Sequence, residues 1–505
     1  MVAKPSLIAA LLVSTAAYAD PVVPQMTRTD VPEHIYAGGW EHFVGGGVAT
    51  FDCNGDNYPD LYLAGGENPA QLMINQAANG SFGFTANTPK ELALTGLTGA
   101  YPIDIDSDGI TDLAILRVGE DMILRGVGDC RFEPFTDIGF QSTPHWTTAF
   151  SATWEGDNTL PTLAFGTYVD REDPNGPFGT CDASLLYRPD GDRYGAPIQL
   201  DPSFCTLSML FTDWARTGRA DLRVSNDRHY YVRGGQEQLW AMEDMPRLYG
   251  EEDGWKNYQL WGMGIASRDI TGDGYADVYL TSMGDQKLQF FETGEAPSYV
   301  DATFARGTTA HRPYTGDDGR PSTGWHAGFG DFNNDGLDDI FVAKGNVEQM
   351  PVAAMKDPNN LLLQNTEGGF VEVGAEAGIA SFDRSRGGAL VDLDLDGQLD
   401  LVVVNRRATV EVYRNITGSG NWLSVALAQI GDNRDAIGAF IEVETAQGMQ
   451  TREVTLGGGH ASGVLAPHHF GLGMNDTARL RVIWPDGETS DWQDVNANRA
   501  ITLWR

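Results

Sequence analysis

Asp392-Leu-Asp-Leu-Asp-Gly-Gln-Leu-Asp400 is the stretch on which the fold turns, because the chain repeats it. Four more clean copies read Asp52-Cys-Asn-Gly-Asp-Asn-Tyr-Pro-Asp60, Asp104-Ile-Asp-Ser-Asp-Gly-Ile-Thr-Asp112, Asp269-Ile-Thr-Gly-Asp-Gly-Tyr-Ala-Asp277 and Asp331-Phe-Asn-Asn-Asp-Gly-Leu-Asp-Asp339. Two copies are eroded, one over Thr153 to Thr162 and one over Asp213-Trp-Ala-Arg-Thr-Gly-Arg-Ala-Asp221. Successive copies start 52, 49, 60, 56, 62 and 61 residues apart. Periods of this length mark arrays or propellers, and each holds the four short strands of one blade. The expected fold is all-β: a seven-bladed β-propeller followed by a small C-terminal β-sandwich.

The phrase carries chemistry through the placing of its oxygens. Side chains at positions 1, 3, 5 and 9 of a tight loop converge, and glycine at position 6 allows the reversal because it takes positive φ without steric cost. The first copy has Asn57 there, the next most tolerant residue type. Hard oxygen donors on a flexible loop suit Ca²⁺, whereas Cys–His spacings for softer metals are missing. The predicted ligands are Asp52, Asn54, Asp56 and Asp60; Asp104, Asp106, Asp108 and Asp112; Asp269, Thr271, Asp273 and Asp277; Asp331, Asn333, Asp335 and Asp339; and Asp392, Asp394, Asp396 and Asp400. An unmetallated Asp/Asn/Gly turn would explain one copy, but five in register argue for ions. Neither eroded copy is expected to bind one: the third lacks a ninth-position carboxylate after Thr153, Glu155 and Asp157, and the fourth has Ala215 and Thr217 where ligands belong.

An EF-hand is excluded. Its loop needs a bidentate glutamate at position 12 and flanking helices, whereas position 12 here is Leu63, Ile115, Leu280, Val342 and Val403. Each loop runs into a short apolar segment rich in β-branched and aromatic residues, such as Leu401-Val-Val-Val, which is a strand signal.

These residues resemble the FG-GAP (VCBS-type) repeats of integrin α-subunit propellers. With Gly262-Met-Gly-Ile-Ala, Trp325-His-Ala-Gly-Phe-Gly and Asn360-Leu-Leu-Leu-Gln-Asn365, the chain resembles the cartilage acidic protein family and its bacterial relatives. The resemblance implies a calcium-loaded propeller. Towards the C-terminus, Asn433-Arg-Asp-Ala-Ile-Gly-Ala439, Gly457-Gly-Gly459, Phe470-Gly-Leu-Gly473 and Trp484-Pro-Asp-Gly487 resemble the ASPIC/UnbV module, whose role the match leaves open. Three regions are expected: a signal peptide over 1–19, the propeller over 20–418 and the module over 419–505.

Lys4, the apolar run Leu7 to Ala17 and Ala17-Tyr-Ala19 read as a secretory signal cleaved before Asp20. No later stretch has the apolar length of a membrane span. A secreted or periplasmic, monomeric protein is expected. Its formal charge is −36, with seventeen Asp residues at ligand positions of the clean loops. From residue 421 onward there are six Arg, no Lys and ten Asp or Glu. Such a surface disfavours nucleic acid and anionic membranes, leaving an unidentified protein or glycan as partner. Four cysteines fit an oxidising compartment. Cys181 lies in, and Cys205 just after, a long insertion over Tyr168–Phe204, which favours Cys181–Cys205 and Cys53–Cys130 among three connectivities.

Candidate catalytic groups are sparse. His460, His468, His469 and His326 read chiefly as structural, and Trp154, Trp214 and Trp240 chiefly as core residues rather than sugar platforms. Two function classes compete: a calcium-stabilised binding or adhesion module, and a secreted lyase or isomerase on a propeller scaffold acting on a polysaccharide or small molecule. A central channel pocket with paired His, Tyr or Arg would favour the enzyme. Finally, the seventh repeat lacks room for a fourth strand, and an open sheet edge is a liability. Residues 24 to 30 are predicted to supply that strand, stopping before Val31 and Pro32 because proline cannot donate to the ladder.

Overall fold

The computed structural model describes residues 21–173, 179–227 and 234–505; the expected signal peptide lies outside them. Among the described residues, seven antiparallel meanders follow one another. Their first strands are Val48–Phe51, Leu97–Ile103, Pro144–Thr153, Thr206–Thr212, Gly262–Arg268, Gly324–Gly330 and Arg384–Val391. Each packs against the first strand of the next meander, and the seventh packs against the first. The second and third meanders also share one sheet, through pairing of Pro144–Trp146 with Val118–Glu120. The fold is all-β. The apolar residues that exclude an EF-hand (Leu63, Ile115, Leu280, Val342 and Val403) are fully buried in the second strands.

The seventh meander closes with a strand from the other end of the chain. Met26–Thr29 pairs antiparallel with Glu411–Asn415, Met26 opposite Asn415 and Thr29 opposite Val412. Met26 enters the core beside Leu361, Leu363 and Leu401, and Arg28 pairs with the buried Glu411 at 3.0 Å. The strand ends before Val31 and Pro32, as expected.

Both predicted disulfides are present, Cys53–Cys130 and Cys181–Cys205. The insertion expected over Tyr168–Phe204 is shorter than its sequence suggests: Ser184–Tyr187 and Ile198–Leu200 are the third and fourth strands of the third meander. The frame of the third acidic phrase also needs correction. Its first strand runs on to Thr153, which pairs with Thr162. That is the register in which Phe51 meets Asp60 and Val391 meets Asp400. Trp154, Gly156, Asn158 and Thr162 therefore occupy positions 1, 3, 5 and 9.

From Asn421 onward the chain forms two further sheets. One orders His468–Gly473, Asn421–Ala428 and Arg499–Trp504; the other orders Gly448–Glu453, Phe440–Thr445, Thr477–Ile483 and Gln493–Asn496. Leu423, Val425, Ile441, Val443, Leu480 and Val482 share one buried cluster, and Trp484–Gly487 is a turn closed by the Gly487 N–H on the Trp484 carbonyl at 2.8 Å.

The stretch between Val454 and Leu465 leaves these sheets and enters the middle of the seven meanders, which the sequence did not reveal. Leu456 bridges Ala152, Gly457 bridges Leu210 and Gly459 bridges Ile265. Ser462 bridges Ala100, its hydroxyl accepts the Val48 N–H at 3.1 Å, and it lies against Gly387. Gly463–Val464 pairs in parallel with Ala49–Thr50. With His460 against His326, the segment touches the first strand of every meander. Its glycines answer to space: a Cβ on Gly459, whose φ is +55°, would fall 2.4 Å from the His326 ring.

Deleting residues 20–30 removes the closing strand and its ladder. The expected cost is on the order of several kcal/mol, measured by thermal or denaturant melting; a melt within a degree or two of the intact protein would place closure elsewhere.

Candidate metal centres

Each acidic phrase joins the first and second strands of its meander, and its aspartates build the loop before any ion is considered. The position-1 carboxylate straddles the turn. In the seventh loop one oxygen of Asp392 accepts the Asp396 N–H at 3.1 Å and the other the Gly397 N–H at 2.8 Å. Asp104 does the same with Asp108 and Gly109, and Asp331 with Asp335 and Gly336. Position 6 takes positive φ in every clean loop, with Asn57 at 71° standing in for glycine as predicted. Position 4 is left-handed as well, and there Ser107, Asn334 and Leu395 accept it; no sequence signal marked them.

Position 9 starts the second strand, and its side chain is a buried clamp. One Asp400 oxygen accepts the Leu393 N–H at 2.9 Å and the other the Asn415 N–H at 2.8 Å, tying the loop to the third strand. Asp60, Asp112, Asp277 and Asp339 repeat the arrangement. At position 5 one oxygen accepts the position-7 N–H, as Asp396 does from Gln398 at 2.9 Å.

The second oxygen at position 5 is left over and faces the position-3 side chain, one oxygen of which accepts the position-5 N–H in the first, second and sixth loops, at 2.9, 3.3 and 3.1 Å. Asn54 and Asn333 donate to the position-5 carboxylates at 3.1 Å. Where position 3 is aspartate, an arginine from the third strand bridges the two. Arg125 lies 2.8 Å from Asp106 and 2.9 Å from Asp108; Arg414 lies 2.6 Å from Asp394 and 3.4 Å from Asp396. Oxygens of Asp104, Asp106 and Asp108 fall within 4.8 Å of one another, as do those of Asp392, Asp394 and Asp400. Oδ1 of Asp394 is buried without a hydrogen-bond partner. A converging set of hard, anionic oxygens with an orphaned lone pair fits a divalent cation of the Ca²⁺ type. In the fifth loop Thr271 and Asp273 are exposed. Cys53 and Cys130 also lie near Asp60, but their disulfide removes them as thiolate ligands.

The eroded loops keep part of the frame. Asp213 accepts the Thr217 and Gly218 N–H groups at 2.9 and 2.7 Å, and Asp221 accepts the Met242 N–H at 2.9 Å. The Trp214 indole N–H and the Tyr249 hydroxyl donate to the other Asp221 oxygen, and Arg219 shares the first with Met242. In the third loop Glu155 turns away to Arg188 at 2.8 Å.

Burial, reinforced by neighbouring carboxylates, makes these aspartates weak acids without a cation. Asp60, Asp104, Asp277 and Asp392 are pushed up to about 7 and Asp112 to about 8, each chiefly by desolvation. Asp331, Asp339 and Asp400 go well above the usual carboxylate range for the same reason.

The histidines are structural. His460 Nδ1 donates to the Met263 carbonyl at 3.2 Å, and Nε2 accepts the Gly45 N–H at 3.1 Å. His326, inside the strand Gly324–Gly330, accepts the His460 N–H at 3.1 Å. Burial pulls His460 down to about 3 and His326 to about 4, so both are neutral. His468 and His469 are likewise lowered by burial, to about 3 and about 4. Trp214 and Trp240 are core residues; half-buried Trp154 lines a cleft of about 980 Å³ between the two eroded loops and the Trp484–Gly487 turn.

The model of the FG-GAP-like repeat matches residues 52–115 and 331–403, and that of ASPIC and UnbV matches 429–504. The chain carries FG-GAP-like repeats and an ASPIC/UnbV domain. It is 33% identical to cartilage acidic protein 1 of Xenopus tropicalis over 110 residues, 21% of this chain and 17% of that protein. To the Homo sapiens protein it is 32% identical over the same length, 21% of this chain and 16% of the relative. The chain thus spans about a sixth of the curated relatives it matches. Among solved structures, BBS1N in complex with ARL6DN superposes with a TM-score of 0.46 at 11% identity, covering 78% of this chain and 98% of that one.

Two outcomes follow. A carboxylate whose folded pKa is raised favours the metal-free fold below its unfolded value near 3.8, and that contribution is lost as pH rises through the folded value of about 7 to 8. Ca²⁺ binds the ionised form, so the melting-temperature gain on adding Ca²⁺ to metal-free protein should be small at pH 5 and large at pH 8; a gain independent of pH would contradict the carboxylate sites. In Ca²⁺, Asp400→Ala should lower the melting temperature more than Asp213→Ala, and the difference should shrink without metal. Equal shifts would mean that both loops, or neither, hold an ion.

Proposed function

We propose that the seven meanders are the blades of a β-propeller over residues 20–418, that residues 419–505 form a β-sandwich module, and that the protein is an exported calcium-binding module with an extracellular or periplasmic binding or adhesion role. The supporting observation is the common frame of the five clean loops, in which backbone N–H groups occupy part of each carboxylate and acidic oxygens remain over. Asp, Asn and Thr side chains at positions 1, 3, 5 and 9 would hold the ions, which supply cross-linking charge to a chain of net charge −36. Two disulfides fit an oxidising compartment, and among the described residues no helix is long and apolar enough to cross a membrane.

The enzyme alternative looked to a central channel. In the folded chain the segment around Gly457–Val464 occupies that position, and its histidine is neutral and bonded on both ring nitrogens. The binding reading therefore stands ahead, with a protein or glycan ligand and a monomeric protein.

Metal analysis of the dialysed protein should find about five Ca²⁺ per chain; two or fewer would overturn the assignment. A ligand bound only by the native state adds about 2.7 kcal/mol per site at a hundredfold excess over its Kd, so chelation should lower the melting temperature markedly. A glycan array run with and without EGTA then tests the partner class.

A further inference from the structure

The sixth acidic loop differs from the other four clean ones in what covers it. Elsewhere at least one residue among positions 3 to 6 opens to solvent, such as Gly55, Asp108, Asp273 and Asp396. In the sixth loop Asp331, Asn333 and Asp339 are 1%, 2% and 0% exposed. Most of the cover is the C-terminal module, with the Val22 carbonyl accepting from the Asn333 side chain at 3.1 Å. Gly471 lies so close that a Cβ there would fall 1.8 Å from an Asp331 carboxylate oxygen. The Gly473 N–H donates to the Asn334 carbonyl at 2.9 Å, and Ser419 donates to the Asn333 carbonyl at 2.8 Å. Arg452 forks onto the buried Asp338 with both distances 3.0 Å. Next to it, His469 meets the Gly397 carbonyl of the seventh loop at 3.2 Å.

We infer that the loop Asp331–Asp339 is the latch of the C-terminal module: a Ca²⁺ held there is enclosed by the module, exchanges slowly, and on leaving releases both the module and the segment that it threads through the centre. The inference rests on the calcium reading proposed above. Its physical basis is desolvation. Asp331, against which Gly471 packs, loses water when the module seats, and burying a carboxylate without a counter-charge is costly. A cation removes that cost only in the seated state, so it binds the seated state more tightly. Linkage then requires that the seated module hold the cation more tightly in return. The first loop is the natural contrast, because its concave surroundings come from the first two meanders and include no module residue.

The test uses the full mature chain loaded with Ca²⁺. Ion content is counted by mass spectrometry, release of radioactive Ca²⁺ is followed in time, and hydrogen exchange is read on peptides covering 456–465 and 470–474. The amides of Gly458, Gly459, Leu465 and Gly473 are hydrogen-bonded across to the meanders in those peptides. One ion should leave at least tenfold more slowly than the rest, and its loss to EGTA should coincide with at least tenfold faster exchange in both peptides. Asp335→Ala should reproduce that exchange in Ca²⁺, whereas Asp56→Ala in the first loop should lose an ion and leave both peptides protected. Should Asp335→Ala not fold, the EGTA time course on the unaltered protein decides. Ions that bind and leave with no change in either peptide overturn the latch alone; a chain that binds no Ca²⁺ overturns the calcium reading and the latch together.

Discussion

A buried aspartate at the head of a second strand is the constraint on which the meanders depend. Asp60, Asp112, Asp221, Asp277, Asp339 and Asp400 each accept a backbone N–H from the third strand, and the five in clean loops also accept one from their own loop. A buried polar group is tolerated only when it is paired, so this carboxylate dictates where the loop and the third strand lie relative to the second. The register is therefore the same in all six, and Thr162 holds the equivalent place in the third meander without the clamp.

That arrangement divides labour within one phrase. Positions 1 and 9 spend oxygens on the backbone, which explains why Asp213 and Asp221 persist in a loop that has lost Ala215 and Thr217 as donors. Positions 3 and 5 keep oxygens for something else, and in the fourth loop they are the ones that erode, whereas the third loop has lost its carboxylates at all four positions, to Trp154, Gly156, Asn158 and Thr162. Arg125 and Arg414 sit against them in the two loops with aspartate at all four ligand positions, where they offset part of the negative charge. The same division separates structural stability from metal affinity, which is why pH and metal are expected to act jointly.

The central segment changes how the C-terminal module is understood. Its glycine run looked like a local turn beside candidate histidines, but it packs against seven first strands, and His460 donates and accepts within that contact. Ends of the chain are tied in twice, through Met26–Thr29 on the seventh meander and through Gly463–Val464 on the first. Neither tie is local, so each carries the loop-closure entropy of nearly the whole chain.

Much of this was legible in the residues themselves. The repeat period, the apolar position 12 and the Gly or Asn at position 6 are local properties of backbone sterics and strand burial, and they predicted the strands and the loops; the closing strand followed from the missing fourth strand of the seventh repeat, and the disulfide pairing from the place of Cys181 and Cys205 at the insertion. The third loop escaped by one residue because erosion removed the aspartates that mark its frame. Position 4 escaped because Ser107, Asn334 and Leu395 adopt a left-handed conformation imposed by the turn, not by their own preference. The placing of Leu456–Leu465 at the centre and of Gly471 on Asp331 could come only from the tertiary structure. Those contacts join residues far apart in the chain, and glycine announces that space is short without saying what fills it.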